Sequence, residues 1–528
     1  MTQDCQRLVT SMIRTAARAA AVFLCFAGGV QAQDVTITTG EGGLVTTGRI
    51  VGYDGDFLQL DTAHGLLTLR YDAATCVGQA CPDPETYVPL VRLSGAARMG
   101  NILMPALIET FARGQGLQAL TEREDPDHLT ITLTDDADAP QATFELRLSN
   151  TDEGFADLIA FEADIVMAVR EVRAEEAARA VMVGLGDITS PRQARIVGFD
   201  ALVPVVSPAL DVRQLSLHDI IAAYRGDVTD WSAIGGPAGP ISLHLGPQSG
   251  GQWQFFVDQF VGVDALSDNV TRHDTVTGMV DALTAESGGL AIAPIGETAN
   301  AQPVTLRDAC GFSAVPQTIN LKTQDYPLTE PLFLYVPDRR HAAVIRSFLD
   351  FLRGQQAQLV VRRAGFVDQG AVPIPLDAQG QRFANAIAQA RGAIGLDDLQ
   401  DMVSVLAPRT RLSTSFRFLE GSDELDAPSR SNLLALGQAI RDGRYDGQSL
   451  LLVGFGLTQH DEGAEDTPDR SMQLAEAVRT ALIAALGDLP ADVSLETAYF
   501  GEALPMGCDD TAWGRHRNTR VELWVDQN

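Results

Sequence analysis

The sequence predicts a multidomain α/β protein, and three observations carry that prediction. Residues 34 to about 88 alternate apolar and polar side chains in short runs, the period of half-buried strands. From about 91 onward, strand patterns alternate with helical ones, as in a domain built on a largely parallel sheet. From 411 to the end the order reads β-α-β-α-β-β, an α+β sandwich of a few strands against two helices.

The N-terminus comes first. Arg7, Arg14 and Arg18 precede the apolar run AAAVFLCFAGGV, and VQA at 30–32 puts small residues where a signal peptidase cuts. This predicts a secretory signal peptide over 1–32 and an exported, soluble, periplasmic protein. Removing Asp4 and the three arginines takes the formal charge from −30 to −32. Lys322 is the sole lysine. Such an acidic surface repels nucleic acid and anionic lipid, so neither is an expected partner.

Residues 33–90 read as a small β-barrel or SH3-like module. GRIVGYDGDFLQLDTAHGLLTLRYD alternates cleanly, with hairpin turns expected at Asp54-Gly55 and His64-Gly65. Four cysteines lie beyond the signal peptide: Cys76, Cys81, Cys310 and Cys508. An even number in an exported chain favours disulfides. The short loop CVGQAC predicts a Cys76–Cys81 bridge, and a Cys310–Cys508 bridge is left open. There is no CxxC and no histidine pair at metal spacing, so neither a metal nor another cofactor is expected.

In the middle block, NILMPALIETFARG (101–114) puts Ile102, Leu103, Ala106, Leu107, Thr110 and Phe111 on one helical face. LVPVVSP (202–208) reads as a buried strand stopped by proline, and LSLHDIIAAYRGDV as a helix capped by Ser216. AAVIRSFLDFL (342–352) is another helix, and a helical connector is expected over 371–410. In the last block SLLLVGFG is a strand, SMQLAEAVRTALIAAL a helix, and TRVELWV the closing strand.

Over about 91–370 the chain resembles the phosphate-binding-protein-like branch of periplasmic solute-binding proteins. The matching stretches are LSGAARMGNILMPALIETFA, EADIVMAVREV, ALVPVVSPALDVRQLSLHDIIAAYRGDVTDWSAIGGPAGPI, SGG, SGGLAIAPI, YPLTEPLFLYVP and FLDFLRGQQAQLVVRRAGFVD. The resemblance implies a two-lobed clamshell (type II) that closes on a solute by hinge motion. Carried over position by position, its ligand loops are Ala96, Ala97, Arg98 and Met99 after Gly95, then Ser149 to Thr151, then Ser249, Gly250, Gly251 and Gln252. Free N–H groups at helix N-termini suit an oxyanion such as phosphate. The chain departs from phosphate binders at the position of their anion-clamping arginine, here Leu245, and at the threonine after SG, here Gly251. The carboxylate that reads the ligand's proton matches Arg170. Arg98 and Arg170 supply the positive charge instead, or are surface arginines of an acidic protein.

Over about 411–528 the chain resembles the OmpA-like C-terminal domain, which holds peptidoglycan. FRFLEGSDELDAPSRSNLLALGQAI, LLLVGFG, AEAVRTAL and GRHRNTRVELWV carry this match. The family clamps its zwitterionic ligand with an Asp and an Arg, and these places are Leu457 and Leu474 here. Two leucines offer no point charge to an amine and a carboxylate, so the expectation is weak peptidoglycan binding. Asn518 and Arg520 match the closing motif.

Enzyme signatures are missing. Pro247 in GPQSGG occupies a place where a nucleophile elbow needs glycine, and GEGG at 40–43 lacks the GK[ST] ending of a phosphate loop. His244 reads as a strand residue rather than a base, and Asp461 and Glu462 as a solvated loop. The expected function is therefore solute binding without chemistry, tethered to a cell-envelope domain, with an ABC permease as partner. The alternative is a non-transport envelope scaffold with vestigial clefts, whose surfaces bind proteins.

Overall fold

The computed structural model describes residues 34–40, 43–247, 250–390, 394–419, 421–456 and 470–526. The expected signal peptide, Ser249, Leu457 and the acidic loop with Asp461 and Glu462 lie outside these residues. No described helix is long and apolar enough to cross a membrane.

The N-terminal module is one compact unit. Its strands Val35–Thr39, Val45–Tyr53, Phe57–Thr62, Gly65–Arg70 and Ala74–Val77 make one antiparallel sheet. The first strand sits between the second and the fifth, and the third and fourth extend the other edge as hairpins. Val35, Ile37, Leu58 and Leu60 are its core, and a disulfide joins Cys76 to Cys81. Among the described residues no pairing joins Gly65–Arg70 to Ala74–Val77, so hydrogen bonds do not close the sheet into a barrel.

A second compact unit holds the rest of the described chain, apart from residues 340–343. Its main sheet runs in the order Thr271–Arg272, Ser242–Leu245, Gly289–Pro294, Ala194–Val206, Thr329–Tyr335, Ile165–Ala168, Leu90–Ala96, Pro140–Ser149, His128–Thr134 and Gln118–Asp125. The long strand Ala194–Val206 belongs to both halves. Residues 194–201 pair with the returning strand 329–335, and residues 202–206 pair with 290–294. This is longer than the expected strand at 202–208, because each half of it has its own partner. The chain passes into a second lobe along this strand and comes back along Thr329–Tyr335.

The expected helix at Ser216 forms as Leu217–Arg225, with the serine hydroxyl accepting from the Asp219 amide at 2.9 Å. The helix after the first strand departs from expectation. It opens with a π-helical turn over Met99–Leu103 before regular helix over Met104–Gly114. The wider turn rotates the buried face. Leu103, Leu107 and Phe111 stay inside and are joined by Met104, Ile108 and Ala112, while Ile102 is 40% exposed.

In the C-terminal domain, strands Pro373–Ile374, Arg409–Arg417, Arg520–Asp526, Ser449–Phe455 and Ser494–Tyr499 lie in that order. The unbroken apolar run in Ser449–Phe455 is explained by burial on both faces. Leu450 and Leu452 pack on the helices Ala427–Arg441 and Arg470–Leu486. Leu451, Val453 and Phe455 pack under Gly380–Gln389 and Leu396–Leu406. The predicted connector is thus a third layer, covering the face that a two-layer sandwich would expose.

Candidate functional site

Three loops expected far apart in sequence come together at the strand ends between the lobes. Gly95 lies near the end of its strand at φ +130, where a Cβ would sit 2.1 Å from the Met167 carbonyl oxygen, so only glycine fits. The next residues, Ala96 and Met99, are buried, and Ala97 and Arg98 are partly so. From the other lobe, Gly251 begins the helix Gly251–Phe256. A Cβ there would lie 2.9 Å from Val169 Cγ2 and 3.4 Å from the Ala96 side chain. The 96–99 and 250–252 loops therefore approach each other so closely that position 251 has no room for a side chain. Gly250 and Gln252 are half-buried, and a void of about 20 Å³ behind Gln252 and Trp253 has room for no more than one water.

The helix Thr151–Ile159 points its N-terminus into this junction, capped by Asn150, whose side chain accepts from the Glu153 amide at 3.0 Å. The free amide expected at Thr151 is not free: it donates to Gln254 Oε1 at 3.2 Å. Thr151 Oγ1 is used as well, accepting from the Val169 amide at 3.2 Å. Ser149, half-buried, donates to the Asn150 carbonyl at 3.4 Å. Gln254 thus supplies the acceptor for the Thr151 amide from within the chain. Sequence reasoning missed it, although a glutamine on the buried side of GQWQFF, beside Phe255 and Phe256, was the available signal.

Both candidate arginines are occupied. Arg98 Nε donates to Asp200 Oδ2 at 2.6 Å, and its Nη1 pairs with Glu297 from the other lobe. Arg170 is 2% exposed and bonds both oxygens of Glu176 (2.7 and 2.9 Å), the Glu171 carbonyl and Asp152. Burial opposes its charge, but Glu176 and Asp152 outweigh that and hold its pKa above the usual value. Its Nε lies 3.7 Å from Asp258 of the second lobe, which also pairs with Arg173. Neither arginine is a surface residue without a partner, and neither faces an open anion site.

One carboxyl here has no partner. Glu330, opposite Asp200 in the paired strands, is fully buried and neither of its oxygens has a hydrogen bond. Burial, with Asp200 adding to it, pushes its pKa well above the ordinary range against the pull of Arg98. His244, buried in its strand, contacts His273 at 3.0 Å and Glu286 at 3.4 Å.

Residues 129–355 match the PBP superfamily domain. The chain carries a PBP-like domain. Two phosphate-binding proteins PstS are similar to it in sequence. The one from Borreliella burgdorferi is 18% identical over 184 residues, 33% of this chain and 64% of that protein. The one from Staphylococcus haemolyticus is 23% identical over 223 residues, 40% of this chain and 68% of that protein. The match thus spans a little under two thirds of the first relative's length. A crystal structure of an ABC-type phosphate transport receptor from Vibrio cholerae aligns at TM-score 0.42 and 17% identity, covering 52% of this chain and 99% of that one.

The PBP-like domain is fastened to the C-terminal domain. Cys310, beside the second lobe's small sheet, is disulfide-bonded to Cys508, which settles the pairing left open in the sequence. Asp308 accepts from the Cys508 amide at 2.9 Å. These three residues are the one group of potential metal donors among the described residues, and the disulfide takes two of them. A cluster of buried arginines lies at the same junction. Arg417 bonds Asp325 Oδ1 at 2.6 Å, Arg411 lies 3.6 Å from its other oxygen, and Arg520 Nε bonds Glu522 at 2.7 Å. Leu474, at one expected clamp position, is fully buried in the helix–sheet core. Asn518 ties the 506–509 loop, accepting from the Met506 amide and donating to the Gly507 carbonyl and Asp509, while Arg520 donates to the Leu504 carbonyl. Both matched residues therefore support the fold.

Proposed function

We propose that this chain is a non-enzymatic solute-binding protein of the periplasm, whose PBP-like cleft takes a small oxyanion at the N-terminus of helix Thr151–Ile159. The observation that supports it is the amide oxygen of Gln254 seated on the Thr151 N–H, in the place a ligand oxygen would take. The bound solute displaces Gln254 as the lobes open and reclose about the two shared strands. A permease of the ABC type is the partner this reading calls for. The C-terminal domain, OmpA-like by its motifs, holds the binding domain in the envelope with weak affinity for peptidoglycan, since Leu474 lies in the core and offers no charge.

A second reading, an envelope scaffold with a vestigial cleft, is favoured by the neutralised Arg98 and Arg170. One experiment separates the two. Thermal shift and calorimetry with phosphate, sulfate, molybdate and small carboxylates are run on the parent and on Gln254→Ala. A true binder is stabilised by mass action. Freeing the Thr151 amide removes a competitor worth about 0.5–1.5 kcal/mol, so the variant should bind about 2- to 12-fold more tightly. If neither protein responds to any anion, the solute-binding reading fails and the scaffold reading stands.

A further inference from the structure

The PBP-like domain and the C-terminal domain together line a cavity of about 280 Å³. That is room for several waters. Tyr326 forms one wall, with its hydroxyl turned away to donate to the Leu202 carbonyl at 2.9 Å. Phe418 and Trp513 form another wall, and Asp426, Glu171 and His516 supply the polar groups. No lysine or arginine is among the described residues lining it.

The negative charge in this cavity is only partly used. Asp426 is 8% exposed, and its Oδ1 caps the helix Ala427–Arg441 by accepting from the Ser429 amide at 2.8 Å. Its Oδ2 faces His516 Nε2 at 3.6 Å, outside hydrogen-bond reach. Glu171, at the rim with 44% of its side chain exposed, stands 3.9 Å from Arg430. Burial and the charge of Asp426 push the Glu171 carboxyl above its usual value, so the two carboxylates work against each other. The nearest cationic groups stand off at 3.9 Å (Arg430 to Glu171) and 3.6 Å (His516 to Asp426), and Arg517 lies 5.8 Å from the Trp513 ring. Aromatic faces beside such loosely paired carboxylates favour a further cation that has shed part of its water. An oxyanion would meet like charge here, which makes this site independent of the cleft described above.

We propose that this junction cavity binds a small organic cation, an ammonium or guanidinium group on a compact apolar body. Neither domain forms the site alone, since Tyr326 comes from one and Phe418, Trp513 and Asp426 from the other. Occupancy therefore strengthens the docking of the two domains.

Calorimetry and thermal shift on the full chain, with choline and argininamide as probes and glycerol and phosphate as controls, test this. Choline or argininamide should raise the melting temperature in proportion to its concentration, and the controls should not do so through this cavity. Asn caps a helix as well as Asp does, so Asp426→Asn removes the charge and keeps the cap. Combined with Glu171→Gln on the exposed rim, it should weaken cation binding by about tenfold or more. Trp513→Leu, at a half-buried position, should lower affinity in the same direction and leave any phosphate response of the cleft unchanged. The proposal is overturned if the parent binds neither cation up to about 10 mM, a free energy near −2.7 kcal/mol. It is equally overturned if the Asp426→Asn, Glu171→Gln variant binds as tightly as the parent.

Discussion

The cleft between the lobes and the junction with the C-terminal domain are both built from arginine and carboxylate, in opposite proportions. In the cleft Arg98, Arg170 and Arg173 meet Asp152, Glu176, Asp200, Asp258 and Glu297, and Glu330 waits behind them. At the junction Arg411, Arg417, Arg517 and Arg520 are buried around Asp325 and Glu522, with Arg382 half-buried and paired to Glu522. Burial pulls Arg382 down to about 9 and Arg517 to about 10, with Arg411 adding to the first. Acid excess in the cleft keeps its cations occupied and leaves one buried carboxyl, Glu330, without a hydrogen bond and with its pKa raised. At the junction the arginines outnumber Asp325 and Glu522, so each of these two carboxylates faces more than one guanidinium. The same ion pair thus closes one surface and assembles another, depending on which partner is in surplus.

The junction half of that contrast is the easier to break. Asp325→Asn should be the most damaging substitution, because it removes the carboxylate that buried Arg417 bonds at 2.6 Å and buried Arg411 approaches at 3.6 Å. Loss of one partner from a buried pair costs about 3–5 kcal/mol. Calorimetry should show a large fall in melting temperature, or separation into two transitions as the domains undock. An unchanged single transition would mean that the arginines are solvated in place. The acid limb carries the same information. Burial raises Asp325, but Arg411 and Arg417 outweigh it and hold its pKa below the usual value, so its contribution is present above the ordinary Asp value and is lost as pH falls below it.

Next in size is the covalent tie. Cys310→Ser with Cys508→Ser should cost about 2–4 kcal/mol, the usual worth of a bridge closing a long loop. Loss of Cys76 and Cys81, whose separation is 5 against 198, should matter less. Equal losses from the two pairs would show that loop closure is not what the longer bridge supplies.

The smallest effect belongs to the cleft and sharpens its half of the comparison. Glu330 has a raised pKa, so the folded state keeps a proton that the unfolded chain gives up. Stability from this group is full below the ordinary Glu value of 4.5 and declines as pH rises above it. The decline is at most about 1.4 kcal/mol per pH unit for one proton. In Glu330→Gln that portion of the pH dependence of the melting temperature should vanish. A parent and variant with parallel profiles from pH 5 to 8 would place a counter-charge beside Glu330.

Element order was legible because apolar periodicity reports burial directly. The helix at Ser216, the closing strand Arg520–Asp526 and the run Ser449–Phe455 all follow from local pattern and capping. Convergence of the Ala96, Thr151 and Gly251 loops came through motif order instead. What stayed hidden was pairwise. Nothing local marks Gln254 as the partner of Thr151, or Glu297 as the partner of Arg98, because those contacts span 103 and 199 residues. The π-turn at Met99–Leu103 also escaped, since a helical wheel assumes a constant angle and one wide turn shifts every later residue.

The bridge between Cys310 and Cys508 also has a consequence in time. Threaded into an oxidising compartment at the pace of synthesis, about 5–20 residues per second, the chain takes roughly 10–40 s to bring Cys508 out after Cys310, 198 residues earlier. Cys76 and Cys81, 5 residues apart, can be oxidised almost as soon as both have emerged. Once that first bridge has closed, Cys310 is a thiol whose own partner has not yet crossed into that compartment. Any oxidant that acts during that interval couples it to a stranger, so correct assembly rewards oxidation that arrives late.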